Sequence, residues 1–296
     1  MPTEFDLLPE NAEEIGLGST PLPTVTRVDT EVDGHLTSAL KWTAEPPRLV
    51  LLHGGGQNAH TWDSVLLALG VAALAIDLPG HGHSAWRDDH DYRPLPNAPL
   101  VAATIREHAP HAELVVGMSL GGLTTIAIAA RDPGLIERAV LVDVSPESPR
   151  RFSELSGKDR GTVALASDGP DTFDDLEELI ELTAMAAPNR SKSAIRRGVI
   201  HNTRQLPDGR WQWRYDRMRE QIDSEPLWDA FSASTIPYKL VRGGASAFVA
   251  DADVDEYRRR RPDIDVVTVP GSGHSVQSDA PLELAEIIRT VLDKTR

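Results

Sequence analysis

The feature that most constrains this chain is a repeated order: a short apolar run, a Gly- or Pro-rich turn, then a helix-length segment. Arg48 to Leu52 ends in His-Gly-Gly-Gly, and Val71 to Ile76 ends in Asp-Leu-Pro-Gly-His-Gly-His-Ser. Leu114 to Val116 ends in Gly-Met-Ser-Leu-Gly-Gly, and Ala139 to Val142 in Asp-Val-Ser-Pro. Tyr238 to Val241 ends in Arg-Gly-Gly, and Ile264 to Val269 in Pro-Gly-Ser-Gly-His. Runs this short and this apolar suit strands buried on both faces. Helices are expected at Ala59–Leu69, Ala98–His108, Leu120–Ala130 and Pro281–Leu292. The alternation predicts an α/β fold with a mostly parallel central sheet, helices on both faces and right-handed crossovers.

Residues 1–23 are Pro-rich and acidic and read as an arm on the surface. Residues 24–42 alternate around Asp33-Gly34, the pattern of a β-hairpin with a tight turn. The strand–helix order breaks between Val144 and Ile236. That stretch holds an acidic segment with apolar residues at helical spacing and a basic segment around Arg196. It also holds a hairpin signal at Pro207-Asp208-Gly209, before Trp-Gln-Trp-Arg-Tyr. A helical cap is therefore expected after the strand ending at Asp143. The expected division is an arm at 1–23, a core at 24–145 and 236–296, and a cap at 146–235. Such a cap should lie over the strand C-termini, where open α/β sheets bind substrates.

Composition excludes several function classes. Lys+Arg number 30 against 45 Asp+Glu, a formal charge of −15. That charge opposes binding to nucleic acid or to an anionic membrane surface. There is no cysteine, hence no disulfide, thiolate metal site or cysteine nucleophile. The N-terminus has no apolar signal-peptide core, and no run reaches the ~18 apolar residues of a membrane span. A cytoplasmic protein is expected. No oligomeric state is specified by the sequence.

The strongest local signal is Gly117-Met118-Ser119-Leu120-Gly121, a G-x-S-x-G between an apolar strand and a helix-like run. A nucleophile on a sharp strand-to-helix turn requires small neighbours, and the helix N-terminus favours negative charge beside it. Three landmarks accompany it in order: His53-Gly54-Gly55-Gly56, the Asp77 to Ser84 turn, and Gly271-Ser272-Gly273-His274. The set resembles the α/β-hydrolase family over roughly residues 24–145 and 236–296. The resemblance implies Ser119 as nucleophile, His274 as general base, and the N–H groups of Leu120 and of Gly55 (or Gly56) as oxyanion hole. It implies no cofactor.

The third triad member departs from the common pattern. Many relatives carry an Asp shortly after the strand that follows the insertion. This chain reads Val241 to Val249 there, with Ala247 where the Asp is expected. Asp251 and Asp253 lie further on, at the start of the following helix. Asp143 instead ends the strand after the nucleophile helix, and adjacent parallel strands bring it to the same sheet edge. Some branches, including haloalkane dehalogenases and some lactone hydrolases, resemble this arrangement. Asp143 is the expected group orienting His274 through Nδ1–H, with Asp251 the second choice. The structural alternative for Asp143 is a strand-end carboxylate that accepts turn N–H groups.

Other residues have plainer readings. His53 is expected to anchor its loop. Asp77, His81 and His83 invite a metal reading, but their Pro-Gly setting favours a structural turn, and no metal site is expected. Trp211, Trp213 and Tyr215 share one strand face, as cap core or as pocket lining. Gly56, Met118, Trp211 and Trp213 are the candidate pocket residues. Arg242 suits a substrate carboxylate or a structural ion pair. The reading is a cofactor-free serine hydrolase that cleaves a small hydrophobic carboxylic ester or lactone through an acyl-enzyme on Ser119. Its rivals are a carbon–carbon bond hydrolase, a cofactor-free peroxidase and, given Ala247, a non-catalytic ligand-binding relative.

Overall fold

The computed structural model describes residues 3–156, 160, 165, 169–188, 190–217 and 222–293. Its strands are β1 (Val25–Val32), β2 (His35–Trp42), β3 (Leu49–Leu52), β4 (Ala73–Ile76), β5 (Leu114–Met118), β6 (Ala139–Val142), β7 (Thr172–Phe173), β8 (Thr203–Gln205), β9 (Trp211–Trp213), β10 (Tyr238–Gly243) and β11 (Asp265–Val269). Its helices are α1 (Leu8–Glu14), α2 (Asp63–Leu69), α3 (Pro94–His108), α4 (Leu120–Arg131), α5 (Ser148–Glu154), α6 (Leu176–Ala186), α7 (Lys192–His201), α8 (Ser224–Ala233), α9 (Asp251–Arg260), α10 (Val276–Asp279) and α11 (Pro281–Asp293). A 3-10 turn at Ala59–Trp62 leads into α2.

Eight strands form one sheet in the order β1-β2-β4-β3-β5-β6-β10-β11. The β1–β2 and β2–β4 pairs are antiparallel; all the others are parallel. Asp33 and Gly34 both have positive φ, 52° and 78°, which suits a two-residue hairpin turn matched to strand twist. The parallel strands read as unbroken apolar runs because helices cover both faces. Side chains alternate between the faces at period two. Val50 and Leu52 enter one core with α3, α4 and α8; Leu49 and Leu51 enter the other with α2 and α11.

The segment between β6 and β10 carries its own small apolar cluster. Phe173, Leu179, Ile195, Val199, Trp213 and Tyr215 bury against one another, and β7-β9-β8 form a three-stranded sheet. α8 ends this stretch but packs with the main core: Leu227, Trp228 and Phe231 join the α4 face. The N-terminal segment is more than a surface arm. It forms α1, with Leu8 and Ala12 buried. Those two residues sit four apart on one helix face, a pair masked in the sequence by the surrounding acidic and Pro residues. Among the described residues no helix is long and apolar enough to cross a membrane.

Tight backbone approach fixes the turn between β5 and α4. A Cβ on Gly117 would lie 2.5 Å from the Gly121 carbonyl oxygen, and one on Gly121 would lie 2.3 Å from the Leu52 carbonyl oxygen. Neither backbone atom can move aside cheaply. Gly121→Ala is therefore expected to destabilise the fold by about 1–3 kcal/mol. Gly55→Ala, whose Cβ would meet nothing within 4 Å, should leave the melting temperature unchanged. Thermal melts of the two variants check both outcomes.

Candidate active site

Ser119 sits between β5 and α4 with φ 50°, in the left-handed region that non-glycine residues rarely adopt. The turn is held by the Ser119 N–H on the Val142 carbonyl (3.2 Å) and by the Leu123 N–H on the Ser119 carbonyl (3.0 Å). Backbone strain of this kind costs on the order of 1–3 kcal/mol and persists only where surrounding structure over-determines it.

The loop between β11 and α10 brings His274 to the serine. Its Nε2 lies 3.2 Å from Ser119 Oγ, and its Nδ1 lies 2.8 Å from Asp143 Oδ2. Asp143 follows β6 directly, is fully buried and also has positive φ, 47°. Its Oδ1 accepts the Gly243 N–H at 2.9 Å, and its Oδ2 also accepts the Ser246 hydroxyl at 2.5 Å. The other partners of the carboxylate are donors, so His274 donates from Nδ1. Nε2 is then left to accept from the serine hydroxyl. Phe248 stacks on the imidazole with centroids 3.6 Å apart and planes 10° apart.

Asp251 does not reach the histidine. It opens α9 with its side chain 92% exposed, paired to Arg242 at 2.5 Å. That pair also accounts for Arg242. Asp253 is buried, but it accepts from Arg151 and from the Ala250 N–H at the start of α9.

The glycine loop after β3 lies against the Ser119 turn through the Gly121 N–H on the His53 carbonyl (3.0 Å). The Gly54 N–H goes to Gln57 Oε1 and the Gly56 N–H to His81 Nε2, at 3.2 and 3.1 Å. Among the described residues, the Gly55 and Leu120 N–H groups have no acceptor. Of the two glycines considered for an oxyanion hole, Gly55 is thus the one with a free donor. His53 donates from Nδ1 to the Gly54 carbonyl and accepts the Leu78 N–H at Nε2. Burial and the nearby His81 push its pKa down to about 3, so it is a neutral anchor. His81 likewise donates from Nδ1 to the Pro79 carbonyl. Asp77 accepts the Ala59 and His83 N–H groups and pairs with Arg27. Burial opposes its charge, but these partners hold its pKa below the ordinary carboxylate value.

A cavity of about 1220 Å³ opens beside His274, lined among others by Gly56, Ala247, Phe248, Trp213 and Tyr215. Trp213 and Tyr215 stack at 5.4 Å. Trp211 is half-buried against the Phe173, Leu179 and Trp213 cluster and is not among the lining residues. Met118 is a correction: it is 1% exposed and belongs to the core with Trp62 and Val116. Its side chain packs on the β5 face shared with Val116, beside Gly54, and is not among the residues that line the cavity. Ser246 and Phe248 are contacts of Asp143 and His274 that motif reading did not single out. Their segment drew notice only for the Asp it lacks.

The family model described as the alpha/beta hydrolase family matches residues 49–287. The chain belongs to the α/β-hydrolase family. Esterase Rv0045c of Mycobacterium tuberculosis is 52% identical over 98% of this chain and 96% of its own length. A solved structure of that esterase, reported together with its inhibition by transition metals, superposes with TM-score 0.89 at 52% identity and covers 99% of both chains. The 2-(acetamidomethylene)succinate hydrolase of Mesorhizobium japonicum is 26% identical over 88% of this chain and 93% of its own length.

In this α/β hydrolase, the one metal-like cluster among the described residues is His60, Asp63 and His201, with ligand atoms within 4.8 Å of one another. The His60 and His201 rings stack at 3.7 Å with planes 11° apart. Imidazole lone pairs lie in the ring plane, so two parallel rings aim past each other and not at one ion ~2.0–2.1 Å away. The cluster fits a proton better. His60 Nδ1 faces Asp63 at 2.9 Å and Nε2 faces Glu4 at 3.2 Å. Burial opposes the charge, but the two carboxylates outweigh it and raise the His60 pKa to about 9. The unfolded value is about 6.5. The native state thus holds a proton that the unfolded chain releases between those values. The resulting stabilisation is full below pH ~6.5 and lost as pH rises through ~9. The melting temperature should fall between pH 7 and 9.5, and the fall should shrink in His60→Gln.

Proposed function

We propose that this α/β hydrolase cleaves carboxylic esters through an acyl-enzyme on Ser119. The observation that carries the reading is the hydrogen-bonded series Ser119–His274–Asp143 beside two uncommitted backbone N–H groups. His274 Nε2 takes the proton of Ser119 as Oγ attacks the ester carbonyl. The Gly55 and Leu120 N–H groups donate to the developing oxyanion. His274, now imidazolium beside Asp143, returns its proton to the leaving alkoxide. Water then attacks the acyl-enzyme with His274 again as base. Asp143 accepts from His274 Nδ1 throughout and holds the imidazole in its donating orientation.

The segment 146–235 serves as the cap of this site. Phe248, Trp213 and Tyr215 give the cavity an apolar wall, which suits a hydrophobic ester or lactone. The name of the M. tuberculosis relative supports the ester class. Carbon–carbon hydrolysis and simple ligand binding remain outcomes of the same test.

A fluorophosphonate should label the protein stoichiometrically, and Ser119→Ala should abolish both labelling and hydrolysis of chromogenic esters. Failure to label the intact protein would favour the binding module. Faster turnover of a diketone panel than of the esters would move the assignment to carbon–carbon cleavage. In the same assay Asp143→Asn is expected to lower kcat by about 10⁴. Asp251→Asn should leave kcat near that of the parent; the reverse pattern would overturn the choice of acid.

A further inference from the structure

We infer that Ser246 is a positioning residue for the catalytic pair: its hydroxyl fixes Asp143 as a pure acceptor and ties that carboxylate to the ring stacked on His274. The inference rests on the triad reading above. The direction of the proton in this contact is determined by its neighbours. The Phe248 N–H donates to Ser246 Oγ at 3.1 Å, which occupies a lone pair of the hydroxyl. The hydroxyl hydrogen then goes to Asp143 Oδ2. The same oxygen receives His274 Nδ1–H, while Oδ1 receives the Gly243 N–H. Three donors converge on a fully buried carboxylate, which leaves it only the role of acceptor. With Asp143 unable to donate, His274 must carry its proton on Nδ1 and present a bare Nε2 to Ser119.

One hydroxyl therefore couples two supports of the imidazole. Through Oδ2 it sets the rotation of the acid; through the Phe248 N–H it sets the backbone that lays the phenyl ring on His274 at 3.6 Å. The Phe248 carbonyl is itself held by the Ser148 hydroxyl at 2.9 Å, so the loop is fixed on both sides of the ring. The loop after β10, where many relatives carry the acid itself, here supplies donors to an acid on the neighbouring strand.

Ser246→Ala removes the donor and leaves more negative charge on Oδ2, which favours the imidazolium over the neutral base. The acidic limb of the kcat/KM–pH profile should therefore move to higher pH. The other charged groups on the surrounding elements are already engaged. Asp279 of α10 accepts the Gly273 N–H and faces Arg190. Arg242 of β10 pairs with Asp251 and Arg151 of α5 with Asp253, both acids on α9. His53 is held neutral by burial, and the buried Tyr257 phenol, bonded to the Val144 carbonyl, has its pKa pushed well above the usual range.

The experiment is steady-state ester hydrolysis against pH for the parent, Ser246→Ala, Ser246→Thr, Ser246→Cys and Asp143→Asn, with melting temperatures for each. Ser246→Ala should lose about tenfold in kcat, the size of one hydrogen bond to a charged group, with little change in KM. Ser246→Thr should restore both kcat and the position of the limb. Ser246→Cys, a weak donor of similar size, should fall between them, and it provides the same comparison should the alanine variant not fold. Parent-like kcat and pH profile in both Ser246→Ala and Ser246→Cys overturn the proposal. Equal losses in the alanine and threonine variants overturn it as well, because the hydroxyl would then not be the cause. An active Asp143→Asn is a different result: it removes the triad reading on which this one stands.

Discussion

A buried carboxylate must be met by donors, and the site is arranged around that requirement at Asp143. An unpaired charge in this position would cost several kcal/mol. Here every polar neighbour of the carboxylate gives it a hydrogen: an imidazole, a hydroxyl and a backbone amide. The consequence is chemical as well as structural. Which His274 nitrogen carries the proton is decided by what the Asp143 carboxylate can accept, and the nitrogen left bare is the one that faces Ser119.

The core and the elbow were legible in the sequence for one shared reason. Parallel strands covered on both faces must be apolar throughout, and a nucleophile turn must be flanked by glycine. Val50 to Leu52 and Gly117 to Gly121 could hardly be written otherwise. The meeting of Asp143 with His274 was legible because strand adjacency is a topological matter, and β5 and β6 do pair in parallel. Ser246 and Phe248 were not, because a serine that donates to a carboxylate looks the same in sequence as any loop serine. Met118 was misplaced for a related reason. Proximity in sequence to Ser119 says nothing about which face of β5 a side chain takes, and alternation sends it to the core. α1 was hidden by its charge, since Leu8 and Ala12 bury beneath a helix whose visible residues are acidic.

The segment between β6 and β10 and the N-terminal segment are joined to the core through polar contacts that no local motif announces. Asn202, just after α7, donates to the Gly56 carbonyl at 2.7 Å and accepts from Asn58 at 3.0 Å. Arg197 of α7, nearly buried, pairs with Glu10 and Glu14 of α1. His60 holds a proton between Glu4 and Asp63 under the ring of His201. Three separate segments thus meet beside the glycine loop. Asn202 thus ties the segment between β6 and β10 to the loop that carries the Gly55 N–H, so the placement of that segment and of this backbone are not independent in this chain.

The position of the acid shows how such sites tolerate exchange. β6 and β10 are paired in parallel, with Val142 opposite Val241, and the Asp143 N–H continues the ladder to the Val241 carbonyl at 2.7 Å. A carboxylate leaving the end of either strand starts from nearly the same point beneath the imidazole. The two routes differ in what they require of the backbone. From β6 the carboxylate arrives only with Asp143 at φ 47°, a conformation that needs outside support. That support comes from the other strand: Gly243 at the end of β10 and Ser246 in its loop hold the two carboxylate oxygens. The carboxylate stands on one strand and the neighbouring strand and its loop keep it in place. The segment Ala245 to Phe248 is accounted for by what it holds: Ser246 donates to Asp143 and Phe248 stacks on His274, so the lack of an aspartate there leaves no gap beneath the imidazole.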